Sequence, residues 1–257
     1  VIVAFYSFKG GVGRTLTLAN CAMMLAIRGK RVGIIDLDIE APGIASTFDV
    51  QARSGGGLLD VMLGGNIPFL DEVVIDFGEQ RAHYLKEHDV KIGRGGALLI
   101  IPSLPDPEKV EQIRWDSPST NWLMMEIAKF FRINYRLDYL FIDARSGLSV
   151  SASYSLALAE LVLAFFRLNR QNIEGARKLV SMFAATGRDY RLALSAVTDA
   201  PAAPLWRAKF LEEVGVKPRY ELPFQPELLF EERLYAVEAP DLPITQTVRS
   251  LVDTEFS

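Results

Sequence analysis

Apolar residues cluster along this chain in short, nearly unbroken runs separated by longer stretches with helical spacing. The runs VIVAFYSF (1–8), RVGIIDLD (31–38), ALLIIPS (97–103), DYLFID (138–143), LVLAFFRL (161–168), RLALSAV (191–197) and PRYELP (218–223) predict strands. Runs with no polar side suit strands covered on both faces of a sheet. Between them, TLTLANCAMMLAIRG (15–29), NWLMMEIAKFFRINY (121–135), NIEGARKLVSMFAATG (172–187), LWRAKFLEEVG (205–215) and TQTVRSLVD (245–253) carry apolar residues at helical spacing. The first strand, loop, helix and second strand form a βαβ unit, which sheet geometry makes right-handed. The expected fold is α/β: a doubly wound, mostly parallel central sheet with helices on both faces.

One segment departs from this rhythm. Residues 44–96 hold glycines at 55–57, 64, 65, 93, 95 and 96 around the charged stretch EQRAHYLKEHDVK. An irregular, Gly-rich insertion is expected there, and loops of that length are functional or mobile. His83 and His88 fall inside it without the spacing of a metal site and are expected at the surface. The 257 residues suit a single domain with a full core. The chain starts at Val1, so it can be a fragment of something longer.

Composition narrows the function classes only slightly. A net charge of -4 argues against a grip on nucleic acid by the whole surface, while leaving room for a local basic patch. The lone Cys21 permits neither an intramolecular disulfide nor a cysteine cluster within one chain and suits a reducing compartment, so a cytoplasmic location is expected. On the apolar face of the first helix, Cys21 reads as core filler rather than a nucleophile. No run reaches the roughly 20 apolar residues of a membrane span.

Candidate chemistry sits in three places. The first is FKGGVGRT (8–15), where a strand passes through glycines into a helix start. Backbone N–H groups at such a turn can curl around a phosphate, and the helix dipole favours negative charge, although glycines also simply make tight turns. Against the pattern G-x-x-x-x-G-K-[ST], Phe8 stands for Gly and Arg14 for Lys, while Thr15 keeps the hydroxyl that can ligate Mg²⁺. The second is IIDLDIEAPG (34–43). Residues two apart on a strand share a face, so Asp36 and Asp38 are expected to project together from its carboxyl end. They are either surface acids capping a strand or a carboxylate pair that holds Mg²⁺ through water and positions an attacking water. The third is DYLFIDARSG (138–147), an apolar strand ending in Asp143 with the shape of a Walker B strand.

Together these elements resemble the deviant Walker A ATPases, the ParA/MinD-like branch of SIMIBI-class P-loop proteins, in a KGGVGR-motif variant. The likeness extends through GLLDVMLGG (57–65), LLIIPS (98–103), ELPFQPELL (221–229) and the C-terminal helix. It implies an ATP- and Mg²⁺-dependent dimerising switch with slow hydrolysis. Lys9 would match the signature lysine that reaches the partner's phosphates in an ATP-bound homodimer. Gly10, Gly11, Val12, Gly13, Arg14, Thr15 and Leu16 would wrap the phosphates, and Thr15 would ligate Mg²⁺. Asp38 would be the catalytic aspartate, with Asp36 and Asp143 supporting metal and water. The adenine would lie near Thr198, Pro223 and Phe224.

Arg14 is the departure. Arginine keeps the charge and can bond phosphate oxygens bidentately, but its planar fork does not mimic a compact ammonium, so nucleotide binding is expected to survive better than hydrolysis. The alternative function is therefore a non-hydrolysing nucleotide sensor or scaffold. The bacterial tyrosine kinases of this loop type carry tyrosine-rich tails, which SLVDTEFS (250–257) lacks, and an iron–sulfur carrier lacks its cluster cysteines here. Arg145 reads as a salt-bridge or helix-start residue, or alternatively as a γ-phosphate sensor. Arg167, Arg170, Arg177 and Lys178 form a basic cluster open to DNA contact, or simply a solvated helix start. No basic amphipathic membrane anchor is visible, because Asp253 and Glu255 follow Arg249.

Overall fold

Each predicted run becomes a strand of one sheet in the computed structural model, which describes residues 1–65, 67–229 and 234–256. The strands are β1 (Ile2–Ser7), β2 (Arg31–Asp36), β3 (Ile75–Asp76), β4 (Ala97–Ile101), β5 (Tyr139–Asp143), β6 (Leu161–Phe166), β7 (Tyr190–Val197) and β8 (Tyr220–Pro223). Their order is β3-β4-β2-β5-β1-β6-β7-β8. Only the β3–β4 pair is antiparallel. The expected doubly wound α/β class holds.

The longer helices are α1 (Arg14–Ile27), α2 (Pro118–Asn134), α3 (Val150–Leu158), α4 (Arg170–Thr186), α5 (Ala203–Val214) and α6 (Pro243–Glu255). Strand alternation divides them between the two faces. Val3 and Phe5 of β1 join α1 and α6 in one core, whereas Ala4 and Tyr6 face α3, α4 and α5 on the other side. Under the β4-β2-β5 half, Leu123, Met124, Ile127 and Phe131 of α2 pack against Ile35, Leu99, Leu140 and Ile142. In α6, Val248, Leu251 and Val252 are buried in the first core. Glu255 is almost enclosed there, pairing with Arg191 at 3.0 Å and Arg219 at 2.8 Å. The apolar face of the C-terminal helix is thus covered by the protein itself. Among the described residues no helix is long and apolar enough to cross a membrane.

Two expectations change. The 44–96 insertion, of which Asn66 lies outside the described residues, contains short helices at Ile44–Thr47, Leu58–Gly64, Leu70–Val73, Phe77–Gln80 and Ala82–Glu87, plus the edge strand β3. Leu58, Leu59, Val61, Leu70 and Val73 are buried in the α2-side core, so the segment is built structure rather than open loop. Its elements are too short for periodicity to reveal them. Helix α3 was hidden by its serine-rich composition; Ser149 starts it by accepting from the Ala152 N–H at 3.1 Å. His83 and His88 are exposed and Cys21 is buried, as expected.

Candidate functional site

The parallel register sets Asp36 of β2 beside Asp143 of β5, and Asp143 beside Phe5 of β1. The carboxyl ends of three central strands therefore meet where the glycine loop enters α1, the edge at which open α/β sheets take ligands. Gly11 and Gly13 hold φ values of 70° and 77°, the left-handed region that glycine enters without a steric penalty. Gly13 is the helix cap and makes no side-chain cap hydrogen bond, and the first turn carries no acid. The first-turn N–H groups of α1 have no intrahelical partner and are free to meet an anion.

Phe8, foreign to the standard pattern, has a packing role. Its ring lies against Gly175 of α4, where an added Cβ would stand 2.3 Å from the ring carbons. Gly175→Ala gains helix propensity of up to about 1 kcal/mol but forces the ring away, a larger overpacking cost, so a net loss of about 1–2 kcal/mol is expected in urea denaturation. Combining it with Phe8→Ala is expected to recover most of that loss; strictly additive losses would mean the contact is not the cause.

Arg14 is the hub of the site. As the first residue of α1 it turns inward under the loop, and its side chain is only 7% exposed. Nε donates to Asp143 Oδ1 at 2.6 Å and Nη2 to Asp38 Oδ2 at 2.8 Å. Nη1 approaches Ser7 Oγ and Nη2 approaches Thr15 Oγ1, each at 3.4 Å. Thr15 donates its hydroxyl to the second Asp143 oxygen at 2.7 Å. Burial works against the charge on the guanidinium, but Asp143 and Asp38 outweigh it and its pKa is raised. Asp143 is wholly buried, and burial lifts its pKa while Arg14 pulls the other way.

Asp36 and Asp38 do not act as one pair. Asp36 is fully buried and accepts from the backbone N–H groups of Asp38 and Ile44, both at 3.2 Å, which ties the loop after β2 to the start of the Ile44–Thr47 helix. Burial, then the charge of Asp143, raises its pKa well above the ordinary carboxylate range. Asp38 lies past the strand end, lines the cavity with its side chain only 13% exposed, and binds Arg14 instead. The two acids part in their contacts because β2 ends at Asp36 and Asp38 stands on the stretch that leads into the turn at Ile39 and Glu40.

Above this floor opens a cavity of about 720 Å³, lined by residues 10–17, Asp38, Glu40, Arg145, Arg167, Ser195, Ala196, Pro223 and Phe224 among others. Its size falls within the roughly 300–1,000 Å³ of small-molecule sites. Gly10, Gly11, Val12, Gly13, Arg14, Thr15 and Leu16 are thus brought together on one wall, with Pro223 and Phe224 on another. Asp36 and Asp143 sit behind Arg14 rather than on the surface. Lys9 is exposed and lies outside the lining, its Nζ 5.9 Å from the Phe8 ring centroid. Thr198 is a correction: it is exposed and off the cavity, accepting from the Ala200 N–H at 3.4 Å. The ladder between β7 and β8 slips between Leu194 and Val197, with Ala196 at φ 51°, so Ser195 and Ala196 hold the wall position instead.

Sequence reasoning missed one arginine role. Arg167, counted with the basic cluster, donates to the carbonyl of Gly11 and lines the cavity, while Arg170 pairs with Glu174 at 3.2 Å. The position of Arg167, one residue past the apolar run of a strand beside β1, was the available signal. Arg145 pairs with Glu40 across the cavity mouth, matching the salt-bridge reading.

Thr15, Asp38 and Asp143 offer only oxygen atoms, the chemistry Mg²⁺ takes. The guanidinium already holds those oxygens, however, and as arranged the residues do not fit a divalent cation. Among the described residues no group of three or more His, Cys, Asp or Glu is placed to hold a metal.

Known proteins agree with the geometry. The family model described as "AAA domain" matches residues 1–195. An iron–sulfur cluster carrier protein of Saccharolobus solfataricus is 35% identical over 160 residues, covering 62% of this chain and 44% of that protein. One from Synechocystis sp. is 26% identical, covering 63% of this chain and 40% of its own length. The matched region is thus less than half of either relative. Among solved structures, the cell division ATPase MinD of Pyrococcus furiosus superposes with a TM-score of 0.74 at 18% identity, covering 98% of this chain and 96% of that one. The septum site-determining protein MinD of Pyrococcus horikoshii, complexed with Mg-ADP, gives 0.73 at 18% identity, covering 98% and 94%. At such identities these structures establish the fold. With the family model covering most of the sequence, this chain belongs to the AAA-domain family, and its fold is that of the MinD ATPases.

Proposed function

We propose that this chain binds ATP in the cavity at the end of α1 and acts by occupancy, as a nucleotide sensor or scaffold with very slow turnover. The observation that carries this reading is the 2.8 Å pair between Arg14 and Asp38, held in a nearly closed site. An aspartate that must orient an attacking water needs a free carboxylate oxygen aimed at it. Here the strongest donor in the site holds that carboxylate. Phosphate recognition needs none of this chemistry: the uncapped α1 N-terminus, the glycine loop and the arginines lining the cavity all favour an anion. Pro223 and Phe224 supply an apolar wall for a base.

A second reading, the dimerising switch, is favoured by Lys9. It stands exposed beside the cavity and makes no contribution to the lining of its own site, a placement that suits reaching another subunit. The basic cluster gives less support to DNA contact, because Arg167 and Arg170 are engaged and only Arg177 and Lys178 stand free on the exposed face of α4. Iron–sulfur carriage finds no support here: the only cysteine, Cys21, is buried in the core.

One pair of measurements separates the readings. Calorimetric titration with ATP, ADP and GTP is expected to give saturable ATP binding; no heat with any of them sinks the nucleotide reading. Sedimentation of the wild type and Lys9→Ala, with and without ATP, then tests the switch. An ATP-dependent dimer that Lys9→Ala abolishes supports it, and a monomer throughout leaves occupancy alone.

A further inference from the structure

We propose that Arg14 is a resident counter-cation that takes the place of a divalent metal, so that nucleotide binding at this site does not require Mg²⁺. The inference rests on the nucleotide reading above and names how that site would meet the charge of its ligand.

Three observations carry it. First, the guanidinium engages the metal-side oxygens that border the loop, Asp143 at 2.6 Å, Asp38 at 2.8 Å and Thr15 at 3.4 Å, while Asp36 is taken up by the backbone N–H groups of Asp38 and Ile44. The Thr15 hydroxyl is spent as well, since its proton goes to Asp143 at 2.7 Å. A divalent ion entering here would have to displace these contacts and then sit beside a buried positive charge. Second, the guanidinium has no cheap way to leave. Asp143 is completely buried, and withdrawing its cationic partner leaves an uncompensated carboxylate in the interior. Arginine suits a fixed role of this kind, because its fork forms several directed bonds at once and its charge does not titrate. Third, the anion-attracting groups that remain are not metal-dependent. The first-turn N–H groups of α1 face the cavity from the loop, and Arg145 and Arg167 line it, the first paired with Glu40 and the second keeping its full charge while it donates to the Gly11 carbonyl. Triphosphate charge thus meets arginine and backbone donors, over a floor whose carboxylates Arg14 has already compensated.

The test uses the whole chain and has two independent arms. In the first, ATP is titrated calorimetrically in excess Mg²⁺ and again in EDTA. The wild-type dissociation constant is expected to change by less than about threefold, whereas Arg14→Lys, whose compact ammonium cannot span both acids, is expected to weaken by about tenfold or more in EDTA. A wild-type loss of about tenfold in EDTA overturns the proposal. The second arm uses Mg²⁺ alone, without nucleotide, read as the shift in thermal midpoint. Wild type is expected not to respond, while Arg14→Ala, with its oxygens released, is expected to be stabilised increasingly as Mg²⁺ is raised, with the logarithm of its concentration once the site fills. An equal response in both proteins overturns the proposal, whatever ATP does. If Arg14→Ala does not fold, Arg14→Lys replaces it in this arm with the same expected contrast. Absence of ATP binding in either buffer removes the nucleotide reading, and the metal-only arm then decides by itself whether Arg14 fills the cation's place.

Discussion

Arg14→Lys is expected to raise the steady-state rate of ATP hydrolysis by about tenfold to a hundredfold, the range opened when a reacting-site charge moves from a poor to a useful position. In the wild type the guanidinium binds Asp38 and Asp143 together, with Nε on one acid and Nη2 on the other. Lysine has a single cationic centre and cannot reproduce that span. It must pair with one acid or turn towards the anion, and either choice releases an oxygen of Asp38. Since Asp38 borders the cavity and Asp143 lies behind it, the freed group is the one positioned to meet a water beside bound phosphate. Phosphate release, measured under saturating ATP for wild type, Arg14→Lys and Arg14→Lys with Asp38→Ala, is the check. The single variant should gain and the double variant should lose the gain. A single variant no faster than wild type would mean that Arg14 is not what restrains turnover.

This prediction depends on a contact that one-dimensional reading does not reach. The strands were legible because they are covered on both faces and so are apolar throughout; VIVAFYSF and LVLAFFRL needed no partner to be recognised. The glycine loop and the Asp-ended strands were legible because backbone geometry and sheet polarity dictate residue types locally. What Arg14 does was not legible, because its role is set by three groups at or just past the ends of different strands, 7, 24 and 129 positions away in sequence. Sequence spacing treated it as a phosphate ligand; packing made it a ligand of acids. Phe8 is similar, since its reason is Gly175 on a helix far along the chain. Asp36 and Asp38 were joined by strand periodicity and separated by the end of the strand. The insertion at 44–96 hid its order in helices of one or two turns, whose burial comes from the neighbouring sheet rather than from their own pattern.

Removal of the guanidinium altogether is expected to be costly, and the cost should depend on pH. With Arg14→Ala, Asp143 stays buried without its cation, a loss of about 3–5 kcal/mol for a broken interior pair. Asp143 has its pKa raised by burial even in the wild type, with Arg14 opposing that rise. A carboxyl whose folded pKa exceeds its unfolded value binds more protons when folded; its contribution is therefore most favourable below the unfolded pKa, about 3.9, and is lost as pH rises through the folded value. Deleting Arg14 lifts that folded value further and widens the window over which stability falls. The deficit of Arg14→Ala relative to wild type should therefore be smallest near about pH 3, below the unfolded value, where Asp143 is mostly protonated in folded and unfolded chains alike, and larger near about pH 7. Urea midpoints at both pH values, with unchanged m-values, measure it. A deficit of the same size at both would assign the loss to the packing of the arginine stem rather than to charge, and the ionic account of the site would have to be given up.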